Sequence, residues 1–173
     1  MEHTRTYTWH DADELMGLSA GLSGLEIMQR IARREIPGPP VGRLIGVAGL
    51  EVEKGRVAVG FEPQPFHYNS LGTVHGGVIA TVLDIVLGSA VQSTLKAGYG
   101  FTTLTMELKY HRAVSVKSGK LKAIAEVVAR GREIVTCNAK LVDPRERVFA
   151  TATSTLMTFA LPAGGGGAKD GDT

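Results

Sequence analysis

Residues Gly76–Leu95 limit what this chain can fold into more than any other stretch. Val78, Ile79, Val82, Leu83, Ile85, Val86, Leu87, Ala90 and Val91 leave almost no polar face. A helix that is apolar nearly all round is a buried helix. At about 20 residues the stretch is also too long for a single buried strand. The segments that could cover it have a different period. Leu104, Met106, Leu108 and Tyr110 alternate with Thr103, Thr105, Glu107 and Lys109. Leu121, Ala123, Ala125, Val127 and Ala129 form a second alternating set, and Val135, Cys137, Ala139 and Leu141 a third; a last run spans about Arg147–Phe159. Upstream, two strand-like runs flank Glu53-Lys54-Gly55-Arg56, a hairpin turn, with Val57, Val59 and Phe61 on one face. The links between the later strands are short, which favours antiparallel neighbours.

These elements predict an α+β domain: one long central helix wrapped by a curved antiparallel sheet. An extra N-terminal helix is expected over Gly24–Glu35. Ser23 and Glu26 form a capping box, Leu25, Met28, Ile31 and Ala32 follow at helical spacing, and Pro37, Pro39 and Pro40 stop it. The first 22 residues carry few ordering signals. The expected division is an N-terminal extension over 1–40, a core domain over 41–160 and a disordered tail over 161–173, which from Ala163 onward holds Gly164–Gly167 and no large apolar residue.

Several function classes drop out. Nineteen Lys+Arg against 17 Asp+Glu leave a net charge of +2, too little for a dedicated nucleic-acid binder. A single cysteine, Cys137, excludes a disulfide framework within the chain and any multi-thiolate metal site. No apolar stretch reaches the roughly 18 residues of a membrane span, and Met1–Arg5 lacks the apolar core of a secretion signal. The expectation is a soluble cytoplasmic domain, without metal or cofactor, that binds neither nucleic acid nor membrane.

Asp84 is the one Asp, Glu, Lys or Arg between Glu62 and Lys96, set mid-helix between Leu83 and Ile85. Burying an unpaired carboxylate costs several kcal/mol, roughly, unless partners compensate. It is therefore either a hydrogen-bonded structural aspartate or a catalytic carboxylate, since costly placements gather at functional sites. His75-Gly76-Gly77 precedes the same helix. Glycines allow close backbone approach, and a helix's first turn carries free amides and partial positive charge. This turn is either a tight helix entry or a binding site for a developing oxyanion, as acyl transfer requires. Asn69, in the approach loop, is either a turn asparagine or a group that polarises a carbonyl or orients a water.

The run Asn69-Ser70-Leu71-Gly72-Thr73-Val74-His75-Gly76-Gly77-Val78-Ile79-Ala80-Thr81-Val82-Leu83-Asp84 resembles the signature of hotdog-fold acyl-CoA thioesterases, most closely their phenylacetate-pathway, PaaI-like branch. Thr102–Tyr110 also fits that family, and the likeness covers about Val41 to Phe159. It implies the hotdog fold, a homodimer or a dimer-of-dimers tetramer, and active sites at the dimer interface. It further implies that Asp84 is general base or nucleophile and that the Gly76 amide faces the thioester oxygen. Asn69 and His75 would position the carbonyl or hold the turn, and Thr103 would orient water. Gly77, His111, Arg130, Gly131 and Arg132 would bind substrate. Coenzyme A brings several phosphate charges, for which Lys109, His111, Arg112, Arg130 and Arg132 are candidate partners; the alternative for each is a solvated surface charge.

Other signals point nowhere. Gly17-Leu18-Ser19-Ala20-Gly21 matches G-x-S-x-G, but a nucleophile elbow needs a buried strand before the serine. The five histidines show no metal spacing. Cys137 alternates with core positions and reads as packing. Phe66 and Tyr68 either line an acyl tunnel or pack at an interface. The expected activity is hydrolysis of an acyl-CoA thioester to a carboxylic acid and coenzyme A. The rivals are a hotdog hydratase or dehydratase and a non-catalytic acyl-CoA-binding module.

Overall fold

A computed structural model describes residues 1–162, so the expected tail lies, from Ala163 onward, outside the described residues. Three helices come first: α1 (Ala12–Ser19), α2 (Gly24–Ala32) and α3 (Pro40–Ile45). The hairpin β1 (Ala48–Glu53) and β2 (Arg56–Phe61) follows, then the long helix α4 (Gly76–Gln92). Four strands follow: β3 (Tyr99–Tyr110), β4 (Leu121–Arg130), β5 (Ile134–Val142) and β6 (Val148–Ala160). They form one antiparallel six-stranded sheet in the order β1-β2-β4-β5-β6-β3. This is the α+β hotdog architecture. None of the helices among the described residues is long and apolar enough to cross a membrane.

The core lies between α4 and one face of the sheet. Val82, Leu83, Val86, Leu87, Ala90 and Val91 are wholly buried against Val57, Phe61, Ala123, Ala125, Val135, Leu141 and Leu156. The helix is not buried all round, as its composition suggests. Val78, Thr81, Asp84, Ile85 and Ser89 form a half-exposed flank, because a single sheet covers one side only. It is also three residues shorter than expected, ending at Ser93, whose hydroxyl turns back to the Ala90 carbonyl at 2.7 Å.

Two other expectations change. The first 22 residues include α1, which holds Gly17-Leu18-Ser19; no strand leads to Ser19, so the nucleophile-elbow geometry is not there. The N-terminal helix starts with the expected capping box, Glu26 N–H donating to Ser23 Oγ and Ser23 N–H to Glu26 Oε2. It ends before the prolines. Arg34 takes a left-handed φ of 61°, and the Arg34 and Glu35 amides bond the Ile31 and Arg30 carbonyls, a Schellman closure with arginine where glycine is usual.

Strict alternation fails at several register shifts, of which those in β3 and β4 change residues expected to face the core. In β3, Thr103 pairs with Leu156 and Met106 with Ser154, so Leu104 is the extra residue and is half exposed. In β4, Val128 is the extra residue between Val127 and Ala129. Leu104 and Ala129, expected among the core-facing residues, are therefore displaced from that face. Thr103 and Arg130 turn toward the helix instead.

Candidate active site

α4 begins at a turn whose polar groups are nearly all engaged. His75 is the N-cap: its Nδ1 accepts from Gly77 N–H at 2.9 Å, and its carbonyl accepts from Val78 and Ile79 N–H at 3.0 and 3.3 Å. Its own N–H donates to the His67 carbonyl at 2.8 Å. A helix leaves its first four amides without intrahelical partners. Here three of the four are taken within the turn. The Gly76 N–H has no acceptor among the described residues, and it points out of the helix's positive end.

The approach loop is held by Asn69 and His67. Asn69 Oδ1 accepts from Leu71 N–H at 2.9 Å and Thr73 N–H at 3.2 Å, while its Nδ2 donates to Thr73 Oγ1 at 3.0 Å. Both ends of that side chain are thus committed to the turn. His67 is buried: its Nδ1 accepts from Gln64 N–H and its Nε2 donates to the Ile45 carbonyl, each at 3.0 Å. Burial pushes its pKa down, the Ile45 bond pulls it up, and the nearby Arg5 charge lowers it further; the net direction is down. Phe66 packs on His67 and under the Arg5 guanidinium, and Tyr68 Oη accepts from Val116 N–H. Both sit as loop anchors within this chain.

A cleft of about 310 Å³ opens beside this turn, lined among others by Thr73, Gly76, Ile79, Tyr110, His111 and Arg112. Tyr110 Oη–H donates to the Gly76 carbonyl at 3.0 Å. His111 Nε2 lies 2.9 Å from Thr151 Oγ1, and Arg112 Nη1 donates to the Val148 carbonyl at 2.6 Å.

A second cluster lies further along α4. Thr103 donates its hydroxyl to Asp84 Oδ1 at 3.1 Å, joining β3 to the half-exposed flank of the helix. Eight residues separate Asp84 from Gly76, a rise of about 12 Å. One chain therefore keeps its carboxylate and its open amide in separate places.

Arg130, Gly131 and Arg132 lie at the far end. Arg130 Nη1 donates to the Thr94 carbonyl at 2.9 Å and also bonds Thr94 Oγ1, so it caps the negative end of α4. Gly131 closes the β4–β5 hairpin, its N–H on the Ile134 carbonyl, and Arg132 is exposed. This turn is roughly 25 Å from Gly76, the length of the helix. Lys109 is exposed and pairs with Glu107 at 3.3 Å. Cys137 is buried in β5, and burial raises its thiol pKa to about 11.

Of the residues expected at the site, Gly76 and His111 lie together at the cleft, and Asp84 and Thr103 form a separate pair. Tyr110, which lines the cleft beside Gly76, was not among them. The available signal was its place at the last apolar position of a strand that runs straight into His111-Arg112.

Residues 71–150 match the family model of the Thioesterase superfamily. A phenylacetic acid degradation-related protein from Ralstonia eutropha JMP134 is 28% identical, with 75% of this chain and 98% of that one covered at a TM-score of 0.68. The PaaI protein from the Escherichia coli phenylacetic acid degradation operon superposes at 0.69 with 16% identity, over 80% and 97% of the two chains. A Streptococcus mutans UA159 protein bound to acetyl-CoA superposes at 0.60 with 25% identity, over 68% and 91%. A Caenorhabditis elegans protein with an esterase name is 34% identical over 83 residues, 48% of each chain, so the match spans about half that relative's length.

Proposed function

From a chain that is a PaaI-like, hotdog-fold member of the thioesterase superfamily, we propose a thioester hydrolase that converts an acyl-CoA to a carboxylic acid and coenzyme A. The observation that carries this reading is the Thr103–Asp84 pair, a carboxylate held by a hydroxyl on an accessible helix flank.

The site is composite. The long exposed strand β3 is a sheet edge, which a second copy can extend antiparallel. Such a two-fold pairing sets the Tyr110 end of one β3 against the Tyr99 end of the other. It brings the Gly76 amide of one protomer toward the Asp84–Thr103 pair of its partner. The homodimer, or two such dimers in a tetramer, is then the working unit.

In that arrangement the Gly76 N–H donates to the thioester oxygen and stabilises the charge that builds there. Asp84 activates a water, or attacks the carbonyl carbon itself to give a mixed anhydride that water then cleaves, releasing the acid and restoring the carboxylate. Thr103 holds the carboxylate and orients that water. The C–S bond breaks, and coenzyme A leaves as a thiolate that takes up a proton. His75 and Asn69 hold the turn. Gly77, His111 and Arg112 border the path of the substrate, and Arg130, Gly131 and Arg132 of the partner protomer approach that path from the opposite end of its helix. The guanidinium groups of Arg130 and Arg132 suit coenzyme A phosphates.

The test is hydrolysis of aromatic, short-, medium- and long-chain acyl-CoA substrates, followed as free thiol. Asp84→Asn removes the base while keeping size and fold, and is expected to lower kcat by about a hundredfold or more. Near-normal turnover by that variant refutes the assignment.

A further inference from the structure

The peptide that follows the open amide is clamped at both ends. Its N–H, on Gly77, is taken by His75 Nδ1 at 2.9 Å; its carbonyl, on Gly76, is taken by the Tyr110 hydroxyl at 3.0 Å. The His75 carbonyl, which belongs to the same peptide unit as the open Gly76 N–H, receives the Val78 and Ile79 amides. These bonds, with the helical Ala80 N–H that the Gly76 carbonyl also accepts, fix two consecutive peptide planes, and the amide left over belongs to a residue that lines the cleft. All but one come from residues of the turn or of α4 itself. The Tyr110 bond alone crosses from the sheet.

We infer that Tyr110 is a positioning residue: its hydroxyl sets the orientation of the Gly76 amide against the scissile carbonyl. The inference rests on the thioesterase reading above and assigns a further residue to the same site. Several features support it. The ring stands close against Gly76: a Cβ there would lie 3.3 Å from the hydroxyl oxygen, a tight contact that glycine avoids. Tyr110 is also about half exposed on the cleft wall, so its hydroxyl does not fill a core vacancy. The tyrosine reaches this position because the Leu104 bulge returns Met106, Leu108 and Tyr110 to the helix side of β3. Preorganised donors accelerate reaction because they need no reorganisation when charge appears. Loosening one mainly affects the step in which charge develops, and affects ground-state binding little.

The test is Tyr110→Phe, assayed beside wild type and Asp84→Asn on the best acyl-CoA found. Phenylalanine keeps the ring and removes only the donor. The expected result is a fall of about tenfold in kcat, the rate equivalent of one lost hydrogen bond, with KM within about twofold and the melting temperature nearly unchanged. A kcat within twofold of wild type overturns the inference, and so does a loss confined to KM, which would make the hydroxyl a substrate-binding group. Equal falls in stability and activity would reduce it to packing and overturn it as well. If the wild-type protein turns over none of the substrates, the thioesterase reading fails and this inference with it. If wild type is active and Tyr110→Phe is equally so, the inference alone fails.

Discussion

Thr103 reaches Asp84 across 3.1 Å because Leu104 is an extra residue in β3. Without the bulge, Thr103 would share a face with Thr105 and Glu107 and turn away from the helix. The hydroxyl donates to one carboxylate oxygen and leaves the other free for water or substrate. Replacing Thr103 with Val, which keeps the branching and removes the hydroxyl, should lower kcat by about tenfold to a hundredfold, the range for a hydrogen bond to a charged group. Thr103→Ser should retain most of the rate. Steady-state kinetics on the two variants checks this, and equal activity in Thr103→Val would remove the residue from the mechanism.

Composite sites allow complementation between dead variants. Gly76→Pro removes the open N–H at a helix position where proline is favoured, and the extended backbone of His75 suits a following proline. Neither Gly76→Pro nor Asp84→Asn should hydrolyse substrate alone. Refolded together in equal amounts, they should recover about a quarter of wild-type activity. Half the dimers are then hybrids, each with one intact site of two. No recovery would mean that amide and carboxylate do not work across an interface.

His67 makes stability depend on pH with a definite sign. Its folded-state pKa lies below the ordinary 6.5. Between the two values the unfolded chain binds more protons than the folded one, so stability rises with pH. The full contribution is present above about 6.5 and is lost as the pH falls toward the folded value. Protonating Nδ1 would also cost the bond from Gln64 N–H. Melting temperatures measured across this range should fall on acidification, and His67→Gln should flatten the dependence.

Gly24 holds the N-terminal extension to α4. Its N–H bonds the Leu95 carbonyl at 3.0 Å, and a Cβ at this position would sit 1.7 Å from the Gln92 carbonyl oxygen. The obstacle is backbone and cannot swing aside. Gly24→Ala should destabilise the protein by about 1–3 kcal/mol, as overpacking does, and should expose the segment before α3 to protease. Thermal melting and limited proteolysis measure both effects.

Cys137 should resist thiol reagents. The thiol is buried and its pKa is raised to about 11, so little thiolate exists at neutral pH. Alkylation should proceed at the rate of unfolding; rapid labelling of the native protein would contradict the burial.

The order of helices and strands around α4 was legible because each element has a strong period: 3.6 for the helix, two for the strands. The bulges at Leu104 and Val128 were not, because one added residue leaves the local alternation looking intact while changing which face follows. Thr103 was thus legible only through its likeness to relatives. Arg130 read as a surface cation, and no local signal tells that its head meets Thr94. Asp84 stood out as a lone acid in an apolar run, yet its half exposure depends on how far the sheet curls, a tertiary property. The helices α1 and α3 were missed because short helices depend on packing more than on propensity.

Among the described residues, the turn before α4 has one backbone amide proton left to offer. Inorganic phosphate or sulfate gains a foothold on a protein by collecting several amides at once, and here the others are already spent on His75. An anion that arrives fully formed from solution finds little to hold. A single oxygen that turns negative partway through a bond change needs only that one proton. The entrance to the helix thereby favours charge that is transient over charge that is permanent, and ordinary buffer anions should compete poorly for it.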